Sequence, residues 1–166
     1  FDQEPKLAVY RHFIQQLVDN RAHVLPEEQE ALLAAAGEIM ESPGSTFSVL
    51  NNADLAFPTI DDENGEKVQL SHGVYGQMME STNRRVREDA FKGVYSIYKQ
   101  FQNTFATTLT TNVKTHNYEA KVRHYDSARQ AALSNNHIPE SVYDTLVDVV
   151  NNHLDLLHRY MKLRKR

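Results

Sequence analysis

The 166-residue sequence has no cysteine, few glycines and prolines, and no long apolar run. The absence of cysteine excludes disulfides, thiolate nucleophiles and cysteine-ligated zinc. No apolar stretch approaches the roughly 18 residues that a membrane-spanning helix needs, and the first five residues lack the basic and apolar regions of a signal peptide. We therefore expect no membrane partner. A cytoplasmic location is compatible with these absences and is our prediction, although other locations are compatible too.

Charge is unevenly distributed along the chain. Residues 1–83 hold 14 Asp or Glu and 4 Lys or Arg, whereas residues 84–166 hold 8 and 14, so the two parts carry −10 and +6 and sum to the net charge of −4. This asymmetry favours attraction between the two parts or towards a neighbouring domain, and the alternative is a basic face for an anionic partner or a peptide carboxylate. The mild net charge argues against a dedicated nucleic-acid-binding protein, so we expect no nucleic-acid partner.

Apolar residues recur at intervals of three and four along most of the chain, which predicts a mainly helical, all-α fold. A spine helix is predicted from Arg84 to about Asn117, roughly 50 Å long at about 1.5 Å per residue. The other predicted helices cover residues 5–22, 26–41, 46–52, 72–80, 118–133 with a bend near 126–127, and 139–163, and Ser42-Pro43-Gly44 is predicted to break the chain between two of them.

Residues 57–70 differ from this helical pattern. Asn64-Gly65 is a strong hairpin-turn dipeptide, because both residues tolerate positive φ, and its flanks 57–60 and 67–70 are able to pair. Their alternation is too poor to fix the register. The predicted architecture is therefore a single, elongated helical lobe over residues 1–166, with a long spine helix and one small hairpin insertion over 57–70.

No catalytic motif is present in the sequence. Zinc peptidases of the zincin type need His-Glu-x-x-His, and none of the eight histidines is followed by Glu. His116 and His124 are eight residues apart and could share a helix face, but no carboxylate completes a metal triad with them. A Gly-x-Ser-x-Gly nucleophile elbow is also absent. We expect no catalytic residue and no bound metal in this chain.

Arg123 and Tyr125 are the candidate substrate-binding residues. A planar guanidinium and a phenol so close together are able to hydrogen-bond the carbonyl groups of a peptide or its terminal carboxylate. Because Arg and Tyr also anchor buried helix crossings, a structural role is the alternative. The direction of His124, which lies between them, depends on the predicted bend.

The spine helix begins with the basic residues Arg84, Arg85 and Arg87. Basic side chains at this end oppose the helix dipole, so the sequence predicts a compensating partner. Glu88, Asp89 or the acidic first part of the chain is the expected partner, and a clamp for an anion is the alternative.

Several short motifs follow one another in the order and spacing of one known family. They are Phe57-Pro58-Thr59-Ile60 with Asn64-Gly65, Arg84-x-x-Arg87-x-x-Ala90-Phe91, Asn112-x-Lys114, Arg123-x-Tyr125-x-Ser127-Ala128, Asn135-Asn136-x-Ile138-Pro139 and Tyr160-x-x-Leu163-Arg164. Over residues 26–163 the chain resembles the N-terminal, non-catalytic portion of oligoendopeptidase F-type zinc metalloendopeptidases, which are similar to thimet oligopeptidase.

The resemblance implies that the parent protein is a two-lobed, largely helical enzyme that hydrolyses oligopeptides with zinc-activated water. The zinc ligands and catalytic residues of such enzymes lie C-terminal to the portion matched here, so the chain is expected to be inactive alone. It is expected to be a piece of one lobe that shapes the substrate channel, with Arg123 and Tyr125 as channel-wall contacts. The implied partners are oligopeptide substrates and the C-terminal catalytic half of the same polypeptide. The alternative is a stand-alone helical interaction module that binds an acidic partner.

Overall fold

The computed structural model describes residues 5–165, and nearly all of its secondary structure is helical. The first four residues and Arg166 of the predicted lobe lie outside the described residues. Within the described part, the elements in chain order are α1 (Arg11–Asn20), α2 (Glu27–Val49), β1 (Thr59–Asp61), β2 (Lys67–Gln69), α3 (His72–Glu80), α4 (Arg84–Gln100), α5 (Gln102–Val122), α6 (Ala128–Ser134), α7 (Glu140–Asn152) and α8 (Leu154–Arg164). Short 3₁₀ segments, Pro5–Tyr10 and Arg21–His23, flank α1, and a π-type turn, Leu50–Asp54, follows α2. The predicted mainly helical fold class with one small hairpin is confirmed.

The chain divides into two compact units. One unit is continuous and comprises Leu33–Thr115. The other combines the chain up to Leu32 with His116–Arg166. The prediction that the chain is a single lobe of a larger peptidase stays a prediction.

The core of the Leu33–Thr115 unit lies where the hairpin and α3 pack on α4. Its buried members are Phe57, Leu70, Ala90 and Val94. Ala90 and Val94 are four residues apart and therefore share one face of α4. The hairpin approaches this helix closely at Gly93, where a Cβ atom would lie 2.6 Å from Leu70 Cδ1 and 3.1 Å from Pro58 Cγ. A residue without a side chain is what allows this approach.

The hairpin forms where it is predicted, and the structure fixes its register. Thr59 pairs with Gln69 and Asp61 with Lys67. Gly65 has a φ of 84°, but Asn64 does not adopt positive φ. The connection between the strands, from Asp62 to Glu66, is longer than a two-residue turn, so only Gly65 needs positive φ there. Asp62 organises it, since its carboxylate accepts hydrogen bonds from the N–H groups of Asn64 and Glu66, each at 2.8 Å.

The predicted break at Ser42-Pro43-Gly44 is wrong, because α2 continues through it to Val49. A proline inside a helix loses one backbone hydrogen bond, which destabilises the helix by about 3 kcal/mol. Pro43 is buried, and burial of its ring offsets part of that loss. Packing has therefore overridden local propensity, and the helix predicted over 46–52 is the end of α2 and the π-type turn after it.

The predicted spine helix is interrupted at Phe101, whose φ and ψ are −100° and 12°. Hydrogen bonds continue on both sides, because Phe101 N–H donates to Ile97 O at 3.2 Å and Phe105 N–H donates to Phe101 O at 3.0 Å. The apolar stripe also continues across the interruption. Because the stripe is continuous, the periodicity of the sequence does not reveal the interruption at Phe101.

The last predicted helix is interrupted in a different way, at His153. The His153 ring approaches Val149 O with Nδ1 at 2.7 Å. In an uninterrupted helix that carbonyl would accept from the backbone N–H of His153. The backbone N–H instead donates to Val150 O at 3.1 Å. Competition by a side chain of the apolar stripe thus divides the segment into α7 and α8.

Candidate functional site

Arg123 and Tyr125 lie at the C-terminal end of α5, in a sharply defined turn. His124 has a φ of 61°, in the left-handed region that often terminates helices. Tyr125 N–H donates to Ala120 O at 2.8 Å, and His124 N–H donates to Lys121 O at 3.2 Å. These two bonds form a Schellman motif. The predicted bend therefore exists, begins slightly before 126–127, and directs Arg123 and Tyr125 into one site.

The next helix begins immediately after this turn. Ser127 is the N-cap of α6, and its Oγ accepts a hydrogen bond from Gln130 N–H at 3.0 Å. The Gln130 side chain in turn accepts from Asp126 N–H at 2.7 Å. The reciprocal bonds resemble a capping box and fix the direction in which α6 leaves the site.

Arg123 forms a two-pronged ion pair with Glu30 in the same unit. Its Nη1 and Nη2 atoms lie 2.8 and 2.9 Å from Glu30 Oε1 and Oε2. Glu30 Oε1 also accepts from Leu25 N–H at 3.0 Å. The hydrogen bonds from Arg123 and then from Leu25 lower the pKa of Glu30, and the Glu30 carboxylate raises the pKa of Arg123. Both groups therefore remain charged near neutral pH.

Tyr125 stacks on His23 at a ring-centroid distance of 3.6 Å and an interplanar angle of 9°. His23 Nδ1 lies 2.8 Å from Arg123 O. A carbonyl oxygen only accepts, so Nδ1 carries the proton in this contact. His23 and Glu30 thereby hold the turn from two directions.

A cleft of about 350 Å³ opens beside this turn. Its lining residues are His116, Glu119, Ala120, Arg123, Tyr125, Ala128, Ala131, Ala132 and Asn135. Alanine occupies the α6 side of the cleft, and these small side chains leave its volume open. Arg123 and Tyr125 thus share one cleft as expected, but whether a substrate contacts them stays a prediction.

The structural role that was the alternative for Arg123 and Tyr125 is directly visible in their contacts with Glu30 and His23. Sequence reasoning missed both of these partners. In the sequence, Glu30 stands out only as one of three acidic residues near the start of α2, where a negative charge interacts favourably with the helix dipole. Glu30 and Arg123 are 93 positions apart in the sequence, so no local signal reveals their pairing. The charge asymmetry between the two parts of the chain is the only hint.

The basic start of α4 has the kind of structural partner that was expected. Arg85 contacts Asp89 at 3.1 Å and donates to the carbonyl oxygens of Asp61 and Asp62 at 3.1 and 2.6 Å. Arg87 donates to Ser81 O at 2.6 Å. The unfavourable interaction of these basic side chains with the helix dipole is therefore offset by a carboxylate of α4 and by backbone carbonyl groups of the hairpin and of the segment before α4.

Residues 5–165 contain no group of three or more His, Cys, Asp or Glu side chains that could hold a metal ion. Zinc therefore does not fit any site that the described residues form. Among the helices in this part of the chain, none is both long enough and apolar enough to traverse a membrane.

Two family models match the sequence. The model described as Peptidase family M3 matches residues 77–166, which is more than half of the chain, and the model described as Oligopeptidase F matches residues 1–57. These matches define the class of the chain as a peptidase class, and the chain belongs to peptidase family M3.

Its relatives specify the branch of that family. The chain is 53% identical over 161 residues to an "Oligoendopeptidase F homolog" from Lactococcus lactis subsp. lactis, a match that covers 97% of this chain and 27% of that protein. It is 53% identical over 164 residues to "Oligopeptidase PepF" from Bacillus subtilis, covering 99% and 24%. The crystal structure of oligoendopeptidase-F from Enterococcus faecium matches with a TM-score of 0.90 and 75% identity, covering 100% of this chain and 33% of that one.

These comparisons confirm the resemblance found in the sequence. The chain spans only about a quarter of the length of the curated relatives that it matches.

Proposed function

We propose that this chain is the N-terminal, non-catalytic part of a zinc-dependent oligoendopeptidase and that it shapes the channel through which oligopeptides reach the active site. The observation that carries the proposal is 53% identity across almost the whole chain to oligopeptidases of which it covers only a quarter. Its substrates would be oligopeptides, and its principal partner would be the catalytic remainder of the same polypeptide. The alternative of a stand-alone module that binds an acidic partner has no support among the relatives.

Zinc would be held by the remainder of the polypeptide. The M3 family uses zinc, and a zinc ion held there would supply Lewis-acid activation of water for peptide hydrolysis. The sequence offers no His-Glu-x-x-His, so this chain has no zinc chemistry of its own to contribute. We therefore propose that the chain alone is inactive. The location that we propose for the protein is the cytoplasm.

Arg123 and Tyr125 would contact the peptide from the cleft at the end of α5. Arg123 uses two of its amino groups on Glu30 and His23 O, while its Nε–H has no hydrogen-bond partner among the described residues. The Tyr125 hydroxyl also has none in this part of the structure. These free groups suit the carbonyl oxygens of a peptide, and the ion pair with Glu30 makes Arg123 less suited to a free carboxylate.

The parent enzyme is tested by reading its coding sequence onward from Arg166. A His-Glu-x-x-His motif in the same frame, followed by a further Glu, is the expected result. A stop codon soon after Arg166 would contradict the proposal.

The contact of Tyr125 with substrate is tested by Tyr125→Phe in the intact polypeptide, with Tyr118→Phe as the matched control. Tyr118 is exposed on α5 and does not line the cleft. Loss of one hydrogen bond is worth about 0.5–1.5 kcal/mol, so KM for an oligopeptide should rise about 2- to 10-fold with kcat unchanged. Equal KM values for the two variants would contradict a role of this hydroxyl in binding.

A further inference from the structure

A separate cleft of about 640 Å³ lies within the Leu33–Thr115 unit, lined by residues of α2, the turn after it, α4 and α5. Its volume falls in the range of about 300–1000 Å³ that is typical of ligand sites. Its walls include the rings of Phe47, Tyr98 and Phe105. Phe47 and Phe105 meet edge to face, with centroids 5.8 Å apart, and Tyr98 and Phe105 lie 5.5 Å apart.

No charged side chain lines this cleft, although 24% of the sequence is charged. Aromatic and apolar walls favour a large apolar group, and the absence of a counter-charge disfavours a charged one. The group that fits the cleft is therefore uncharged. The charged termini of a peptide and its acidic or basic side chains are therefore excluded as occupants of the cleft.

Three irregularities of the helices adjoin the cleft. Pro43 lies inside α2 and lines the cleft, the π-type turn contributes Asn51, and α5 begins after the interruption at Phe101. Prolines within helices and π-type turns lower local stability, and such departures concentrate at functional sites. All three irregularities therefore border the same cleft.

Two carboxamides at this cleft, those of Gln102 and Asn112, have no hydrogen-bond partner among the described residues. Each offers a donor and an acceptor. A peptide backbone presents the complementary pair of groups, N–H and C=O, at every residue. A ligand with an apolar side chain and a peptide backbone would match both the walls of the cleft and its carboxamides.

We propose that this cleft binds a large uncharged side chain, preferably an aromatic one, from the interior of an oligopeptide, while Gln102 and Asn112 hydrogen-bond the peptide backbone. The choice of a peptide as the ligand rests on the proposed function. The cleft then selects among oligopeptides by side chain, at residues different from Arg123 and Tyr125.

The test uses peptide fluorescence, because the chain contains no tryptophan. The probe is an N-acetylated, C-amidated octapeptide of Gly, Ser and Ala with one central Trp, and selective excitation of that Trp reports binding to the chain. A competitor in which Glu replaces Trp tests the preference for an uncharged group. Tighter binding of the Trp peptide by about tenfold or more is expected from burial of a large apolar side chain.

Blocking the cleft without removing any contact locates the binding. Gly44 lines the cleft, and a Cβ there would meet no atom within 4 Å. Gly37, two turns earlier on α2, has the same open surroundings but does not line the cleft. We expect Gly44→Leu to raise the Kd about tenfold or more and Gly37→Leu to change it less than about twofold. Both variants replace a helical glycine, so loss of folding does not explain a difference between them.

Equal Kd values for the two variants, equal affinity for the Trp and Glu peptides, or no binding would each overturn the proposal. Binding to the 166-residue chain that is lost in the intact polypeptide would show that another part of the protein covers the cleft, and would overturn it too. If the cleft does not bind the Trp peptide, zinc-dependent hydrolysis by the intact polypeptide is unaffected. Conversely, an intact polypeptide without peptidase activity would refute the proposed function while leaving the binding measurement unchanged.

Discussion

Gly93 offers the sharpest test of the packing between the hairpin and α4. In Gly93→Ala, the added methyl group would lie 2.6 Å from Leu70 Cδ1 and 3.1 Å from Pro58 Cγ. Leu70 is buried, with 3% of its surface exposed, and the Pro58 ring is rigid, so neither neighbour yields freely. Overpacking of this kind destabilises a protein by about 1–3 kcal/mol.

A helix-propensity gain opposes this steric effect, because alanine is better than glycine in a helix by about 1 kcal/mol. Gly93→Ala should therefore lower the free energy of unfolding by about 0–2 kcal/mol. Gly76→Ala in α3 is the matched control, since a Cβ there meets nothing within 4 Å. That variant keeps the propensity gain and should be more stable than the parent by about 0.5–1 kcal/mol.

Urea unfolding followed by far-UV circular dichroism measures both variants. The difference between them isolates the steric effect and should be about 1–3 kcal/mol. Adding Leu70→Ala should remove the clash, so Gly93→Ala should be less harmful in that background than in the parent. If Gly93→Ala stabilises the chain as much as Gly76→Ala does, the close approach of the hairpin to α4 is refuted.

Three further predictions concern ion pairing and helix ends. Because Arg123 lowers the pKa of Glu30, the ion pair stabilises the fold fully above the ordinary carboxyl value of 4.5 and loses this effect as the pH falls through the lowered pKa. The stability difference between the parent and Glu30→Gln, from urea unfolding at a series of pH values, should thus shrink on acidification, and a pH-independent difference would count against the pair. His124 has positive φ, so His124→Gly should stabilise the chain by up to about 1 kcal/mol and His124→Val should destabilise it. If thermal unfolding gave the opposite order, the left-handed conformation at the end of α5 would be refuted. Ser71→Ala should lower stability by about 1 kcal/mol, because Ser71 Oγ accepts from Val74 N–H at the start of α3, and an unchanged Tm would argue against this cap.

Local signals in the sequence were enough to locate most elements of the fold. Ser71 and Asn83 are residue types that favour the N-cap position, and they cap α3 and α4, with Asn83 Oδ1 3.0 Å from Arg85 N–H. The errors arise where tertiary packing or a side chain overrides the local pattern. Pro43 is buried inside a helix that its ring disfavours, and the His153 ring interrupts a helix that the apolar stripe favours.

The candidate site was less accessible from the sequence. Arg123 and Tyr125 could be selected for their chemistry, and their common cleft depends on the left-handed turn at His124. Histidine adopts that conformation far less often than glycine does, so the sequence gives no strong signal for it. Glu30 and His23 lie about 100 residues away from their partners along the chain. Contacts at such separations leave no periodic or local trace in a single sequence.

We propose that the intact polypeptide is a zinc peptidase whose catalytic groups lie outside this chain. The most direct test is hydrolysis of a quenched fluorogenic oligopeptide by the 166-residue chain and by the intact polypeptide, each with and without a zinc chelator. We expect turnover by the intact polypeptide that the chelator abolishes, and no turnover by the 166-residue chain. Chelator-sensitive hydrolysis by the 166-residue chain alone would contradict it.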